Sequence, residues 1–313
     1  MITDKNTKIY VAGHRGLVGS AICRRLMALG FENLVMRTHG ELDLTLSDKV
    51  DAFFASERPE VVVLAAAHVG GIKANSTYPA DFILQNIAIQ SSVINAALKY
   101  DVKRFLFLGS SCIYPRECPQ PIREEYLLTS ALEPTNEPYA IAKIAGLKMC
   151  EAINRQYGRQ YLAVMPTNLY GPGDNYDLVT SHVVPAVIRR LHEAKLSGAK
   201  QVMFWGTGRV RREFLYVDDM ADACIHLLLN TDHCELTNIG TGEDMTIREL
   251  IELVAKVVGY EGEIAFDHVN PDGTPQKLLD ISKLKRLGWT PKYSLEEGLK
   301  ATYAAYLQEH AKK

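Results

Sequence analysis

Long hydrophobic runs are missing from this sequence: nowhere do eighteen apolar residues follow one another, so no membrane-spanning helix is expected. The first residues, "MITDKNTK", lack the apolar core of a secretion signal. An excess of one charge is missing too. Lys and Arg total 35 against 37 Asp and Glu, a net charge of −2, which argues against nucleic acid or a membrane surface as the main partner. The six cysteines, at 23, 112, 118, 150, 224 and 234, form no C-x-x-C pair. None stands beside histidines at zinc-finger spacing, so no metal site is expected. The expectation is a cytoplasmic chain with reduced thiols, and a Cys112–Cys118 disulfide is set aside on compartment rather than geometry. Internal repeats and low-complexity tracts are absent as well.

What is present is an alternation of elements. Apolar stretches at 8–13, 33–37, 61–66, 104–109 and 161–167 read as strands. Helices are expected after Gly16, over 82–100 and from near Asn136. Near-continuous apolar strands between helices imply a parallel sheet covered on both faces, the doubly wound α/β (Rossmann) class. Residues 1–167 are expected to form a nucleotide-binding domain. Residues 168–313, with helices from about Ser181 and Thr246, read mainly as a smaller mixed α/β substrate lobe, with some segments returning to the first domain.

The first strand ends in Gly13-His-Arg-Gly16-Leu-Val-Gly19 and opens directly into a helix. Glycines at this spacing permit a tight turn, let backbone N–H groups approach a pyrophosphate and let helix and strand pack closely. The loop Gly13, His14, Arg15, Gly16, Leu17, Val18 and Gly19 is therefore the expected dinucleotide seat. At the end of the second strand, "VMRTHGE", Arg37 stands where a carboxylate would hold the ribose of NAD. A guanidinium fork there favours the 2′-phosphate of NADP(H), with Arg15 in support. An arginine solvated in a loop is the alternative.

Farther on, "NEPYAIAK" places Tyr139 and Lys143 at i and i+4, on one helical face, with Asn136 as the expected N-cap. An ammonium beside a phenol is expected to favour phenolate and improve the tyrosine as an acid/base. Most Tyr-x-x-x-Lys pairs lie on surfaces; this one follows a glycine-rich nucleotide loop and a strand ending in "GSSCIYP" (109–115). The combination resembles the extended short-chain dehydrogenase/reductase superfamily. The stretches "PTNLYGPGDN" (166–175) and "RREFLYVDDMADA" (211–223) are similar to its nucleotide-sugar branch. "AAAHVGGIKAN", "EPTNEPYAIAKIAGLKMCE", "SHVVPAVIRR" and "NPDGTPQKLLD" resemble the bifunctional epimerase–reductases of GDP-sugars. In one departure, His68 stands where some members carry lysine.

The resemblance implies that GDP-4-keto-6-deoxy-D-mannose is epimerised at C3 and C5 and then reduced at C4 by NADPH to give GDP-L-fucose. It implies that Ser110 holds the carbonyl, Tyr139 transfers its proton, and Lys143 tunes Tyr139 and grips the nicotinamide ribose. Pro166, Asn168, Leu169 and His182 are expected near the cofactor. Cys112 is implied as base and His182 as acid for both epimerisations, and a homodimer as the assembly. A ketone acidifies both neighbouring carbons, and a thiol needs only a modest shift from its usual pKa to remove their protons. Without the resemblance, Cys112 reads first as a small buried residue. His182, at a helix start, reads as a cap or a solvated side chain, and its charge state stays open. Arg190, Arg212 and Trp205 are the expected contacts for diphosphate and base. Trp205 packs equally well into a core, and Asp272 either binds a hydroxyl of the substrate or stabilises a turn. The competing readings are a GDP-L-colitose-type enzyme, an NAD-dependent nucleotide-sugar 4-epimerase, and a non-catalytic NADP-sensing protein on the same fold.

Overall fold

The computed structural model describes residues 2–178, 180–267 and 274–310. Strands and helices alternate through the first half as β1 (Ile9–Ala12), α1 (Leu17–Ala28), β2 (Leu34–Val35), α2 (Ser47–Glu57), β3 (Val61–Leu64), α3 (Ile72–Thr77), α4 (Pro79–Lys99), β4 (Arg104–Leu108), α5 (Glu137–Tyr157) and β5 (Gln160–Pro166). The second half runs β6 (Asn168–Tyr170), α6 (Val183–Ser197), β7 (Gln201–Trp205), β8 (Arg211–Arg212), β9 (Phe214–Tyr216), α7 (Val217–Asn230), β10 (Thr237–Ile239), β11 (Met245–Thr246), α8 (Ile247–Val258), β12 (Glu263–Asp267), β13 (Gln276–Lys277), α9 (Ser282–Arg286) and α10 (Leu295–His310).

Six strands form one parallel sheet in the order β10-β5-β4-β3-β1-β2. Every residue of β1, β3 and β4 is buried, as an apolar strand under helices on both faces requires. The chain runs to one side from β1 to β2 and then to the other from β1 to β3. That reversal opens a crevice at the carboxyl ends of β1 and β3. The edge strand β2 is shorter than its apolar run, pairing only Leu34 with Ile9 and Val35 with Tyr10. Beyond Val35 the backbone leaves the ladder, so Arg37 sits off the sheet.

Two hydrophobic clusters organise the rest. The larger follows the sheet and recruits Leu227 and Leu228 from α7, Ile239 from β10, and Leu279, Leu284 and Trp289. The smaller joins Tyr170, Ile188, Leu191, Phe204, Phe214, Leu250, Val254 and Leu299. Its helix α8 starts where expected, with a reciprocal cap: the Thr246 hydroxyl accepts from Glu249 N and the Glu249 carboxylate accepts from Thr246 N. No described helix is long and apolar enough to cross a membrane. The six thiols are free.

Candidate active site

The glycine loop spans the crevice. Gly13 adopts φ +84°, and a Cβ on it would sit 2.6 Å from Ala66 N, so β3's exit touches the loop backbone. A Cβ on Gly19 would fall well inside 3.0 Å of Gly13 O, which fixes how close α1 lies to the end of β1. Gly16 differs, because its nearest neighbour would be Gly13 O at an ordinary 3.5 Å and its φ is −77°. The protein itself does not demand glycine there. Gly16 caps α1 with no side-chain hydrogen bond and no acidic residue in the first turn, leaving the helix's leading N–H groups for an anion. In the same loop His14 Nδ1 is buried, and none of the described residues hydrogen-bonds it. These features fit a dinucleotide pyrophosphate. Leu17 and Val18 turn onto the main core, and Arg15 is exposed.

Arg37 is half-exposed and ion-paired with Glu57 at 2.6 Å, lying over the Phe53 ring. Nearby, the backbone and hydroxyl of Thr38 hold the Glu41 carboxyl below its usual range, with Arg37 and Arg15 adding to the effect. The two arginines therefore flank the same corner of the crevice.

The second constellation lies at the carboxyl end of β4. Ser110 ends the strand extended, and its hydroxyl accepts from Cys112 N at 3.4 Å, opening a single 3-10 turn over Ser111–Ile113. Tyr114 closes the turn by donating to Asn238 Oδ1 at 2.6 Å in a fully buried bond. Cys112 is thus pinned from both sides and nearly buried. Against it pack Tyr139 and Lys143 from the first turns of α5. Lys143 Nζ donates to Leu108 O at 2.8 Å and lies over the Phe107 and Tyr139 rings. Burial lowers its pKa to about 8, opposed by Cys112.

Two expectations are corrected here. Tyr139 is not pushed toward phenolate: burial raises its pKa above the usual value, and Cys112 adds to the rise. The ammonium of Lys143 sits over the ring face, 5.7 Å from its centroid, and is bonded to a carbonyl. Asn136 does precede α5, but its side chain makes no cap bond and its Oδ1 is buried without a partner.

The remaining candidates lie farther along the chain. His182 is the residue before α6, open to solvent but surrounded by protein mass that lowers its pKa. The preceding Thr180 and Ser181 carbonyls abut Gly71, across the crevice mouth. Pro166 ends β5, Leu169 packs on the main core, and Asn168 donates to Glu213 O at 2.8 Å. Arg190 lies 4.6 Å over the Phe204 ring and donates to Met203 O. Trp205 is 76% exposed at the end of β7, which decides against a core role. Arg212 bonds the carbonyls of Arg211 and Thr274. Asp272 lies outside the described residues.

The structure also assembles two residues that sequence reasoning passed over. Glu213 is fully buried, and its carboxylate accepts from the N–H groups of Thr241, Gly242 and Leu279. Lys277, in β13, and Cys112 influence each other's pKa, each favouring the other's charged form. It lay inside a quoted stretch, "NPDGTPQKLLD", but nothing local marks a lysine there as chemical.

Residues 9–240 match the NAD dependent epimerase/dehydratase family. GDP-L-fucose synthase 1 of Arabidopsis thaliana is 60% identical over 98% of this chain and 95% of its own. GDP-L-fucose synthase of Escherichia coli is 56% identical over 96% and 97%. A GDP-L-colitose synthase of Yersinia pseudotuberculosis is more distant, at 37% identity over 96% and 98%. Among solved structures, MlghC of Campylobacter jejuni, a GDP-mannoheptose C4 reductase with NADP bound, superposes with a TM-score of 0.90 at 39% identity, covering 97% of this chain and 99% of that one. A nicotinamide dinucleotide is the group this crevice serves. With a matched family model over most of its length and such relatives along nearly all of it, the chain belongs to the NAD dependent epimerase/dehydratase family, on the branch of the GDP-L-fucose synthases.

Proposed function

We propose that this protein converts GDP-4-keto-6-deoxy-D-mannose to GDP-L-fucose, with NADPH as reductant. The observation that carries the reading is a nearly buried thiol, Cys112, held two residues from Ser110 and packed with Tyr139 and Lys143. A 4-epimerase that only oxidises and re-reduces one carbon needs the last three and has no use for a fixed thiol. The relatives' identity supports the fucose substrate over the colitose type.

Ser110 and Tyr139 hydrogen-bond the C4 carbonyl and stabilise the charge that gathers on its oxygen when a neighbouring proton leaves. Cys112 removes the proton from C3 and from C5, and His182 returns one from the other face as a neutral imidazole. Burial keeps Tyr139 protonated, so it is ready to donate to the C4 oxygen in the last step. Lys143, anchored on Leu108 O, holds the tyrosine ring and grips the nicotinamide ribose. The uncapped start of α1 would hold the cofactor's pyrophosphate, and the bound NADPH would supply the hydride for C4. Arg15 and Arg37 at the crevice corner favour the 2′-phosphate of NADP. Arg190, Arg212 and Trp205 take the diphosphate and base of GDP. The exposed Leu84 of α4 and Ile141 of α5 are the face on which a homodimer would form. Free thiols accord with the cytoplasm.

The test is purified protein with GDP-4-keto-6-deoxy-D-mannose and NADPH in D2O, following absorbance, deuterium at C3 and C5, and product configuration. The expected result is GDP-L-fucose labelled at both carbons. Turnover confined to the 3,6-dideoxy keto sugar would replace the substrate assignment.

A further inference from the structure

Arg37 stands at the crevice corner, but its charged head is drawn elsewhere. The guanidinium lies 5.5 Å over the Phe53 ring, which is itself packed 4.7 Å from the ring of Tyr10 in β1. One of its nitrogens donates to Met36 O at 2.8 Å and another to Glu57 Oε1 at 2.6 Å. Phe53 and Glu57 are one turn apart on α2, and Glu57 is its last residue. A helix that carries the chain from β2 to the parallel strand β3 runs against the strands, so its last turn lies at their amino ends, opposite the crevice. The contacts agree. Lys8, the residue before β1, donates from Nζ to Glu57 O at 2.8 Å and lies 3.5 Å from Glu57 Oε2. The Arg37 head is therefore folded back along α2, away from the carboxyl ends of β1 and β3.

Two carboxylates accompany the two arginines of this corner, and they differ in what they hold. Glu41 is occupied within its own turn, accepting from Thr38 N and from Thr38 Oγ1 at 2.7 Å each. Glu57 holds Arg37, the arginine expected at the 2′-phosphate. A guanidinium fork takes a carboxylate or a phosphate through the same planar set of N–H groups, so the two acceptors are rivals for one donor. Glu57 also has Lys8 within ion-pair distance, so its charge stays matched when Arg37 leaves.

We propose that Glu57 is a specificity-determining residue for the cofactor: it competes with the 2′-phosphate for Arg37, and so sets how far NADPH is preferred to NADH. The inference rests on the reading of Arg37 as a contact of that phosphate. To reach it, the guanidinium leaves the Phe53 ring and the Glu57 carboxylate, which stays with Lys8. NADH carries a hydroxyl in place of the phosphate, offers nothing to draw the guanidinium across, and leaves the Arg37–Glu57 pair closed. A partly exposed ion pair of this kind weighs about two- to fivefold in an equilibrium, and that factor is taken from NADPH alone.

The test is titration of the whole protein with NADPH and with NADH, followed by cofactor fluorescence, for wild type, Glu57→Gln, Arg37→Ala and the double variant. Glutamine keeps the shape of the side chain and removes its charge. Glu57→Gln should tighten NADPH about two- to fivefold and leave NADH unchanged. In the Arg37→Ala background the same substitution should leave NADPH affinity where it was, because the competition has lost its object. NADPH binding that is unchanged or weaker in Glu57→Gln overturns the proposal, weaker binding showing that the carboxylate presents Arg37 to the phosphate. Equal tightening of both cofactors also overturns it, since the effect then owes nothing to the 2′-phosphate. Failure of the underlying reading is seen separately, as an Arg37→Ala protein that binds NADPH as wild type does.

Discussion

Replacing Gly19 with alanine would set a methyl group against the backbone carbonyl of Gly13. The added carbon falls well inside the 3.0 Å that such contacts keep, and the atom it meets is backbone. Relief requires α1 to move away from β1 by about an ångström, yet α1 is packed on its other side against α7, through pairs such as Arg25–Asp222. Overpacking of this kind costs about 2–3 kcal/mol. In a chain of this size that lowers Tm by about 3–5 °C. Alanine at Gly16 meets nothing closer than 3.5 Å at an ordinary φ, so Tm should move by no more than about 1 °C. Its methyl instead enters the space before the uncapped N–H groups, and NADPH affinity should fall about tenfold or more. Calorimetry of the apoprotein and a fluorescence titration with NADPH separate the two effects. A Gly19→Ala protein that melts like wild type refutes the packing argument. A Gly16→Ala protein that binds NADPH normally refutes the seat of the pyrophosphate.

Other outcomes follow from the same geometry. Tyr114→Phe leaves the buried Asn238 Oδ1 without its 2.6 Å donor, and should cost about 1–3 kcal/mol in urea denaturation with an unchanged m value. Lys143 has a folded pKa of about 8 against an ordinary 10.5, so across that window the unfolded chain binds the extra proton and stability rises with pH. The rise is on the order of 3 kcal/mol and should vanish in Lys143→Met, as read by urea midpoints at pH 7 and pH 10. The protein mass around His182 lowers its pKa, so its ring resonances in NMR should titrate below the ordinary histidine value. Tyr139→Phe should abolish reduction while slower deuterium exchange persists, and loss of both together would mean the carbonyl is held mainly by Tyr139.

Much of the fold was legible because its signals are local. The apolar runs at 8–13, 61–66 and 104–109 became the buried centre of the sheet, and the glycine spacing fell at the switch point. The edge strand was over-read because apolar character persists beyond the last pairing residue, Val35. The phenolate expectation failed for a different reason. Spacing at i and i+4 brings two side chains to one face, but it does not say that Leu108 O will claim the ammonium or that burial will dominate the phenol. Glu213 was invisible because the N–H groups its carboxylate accepts from, those of Thr241, Gly242 and Leu279, lie far from it in sequence, and Lys277 because its strand meets the residues near 120 only in three dimensions. Asn136 had a capping residue's identity and place, and only the three-dimensional structure shows its oxygen unmatched.

The turn that carries Cys112 has one further consequence. Its backbone is gripped by Ser110 at one end and tied through the Tyr114 side chain to Asn238 at the other, so the segment that carries the sulfur has little freedom to move. Two different carbons of one sugar cannot both be nearest to a stationary atom. If Cys112 serves both carbons, as proposed, the hexose is the partner that travels, pivoting about its tethered diphosphate between one inversion and the next. The enzyme's rigidity transfers the choreography to its substrate, and the linkage to GDP becomes an axle as much as a handle.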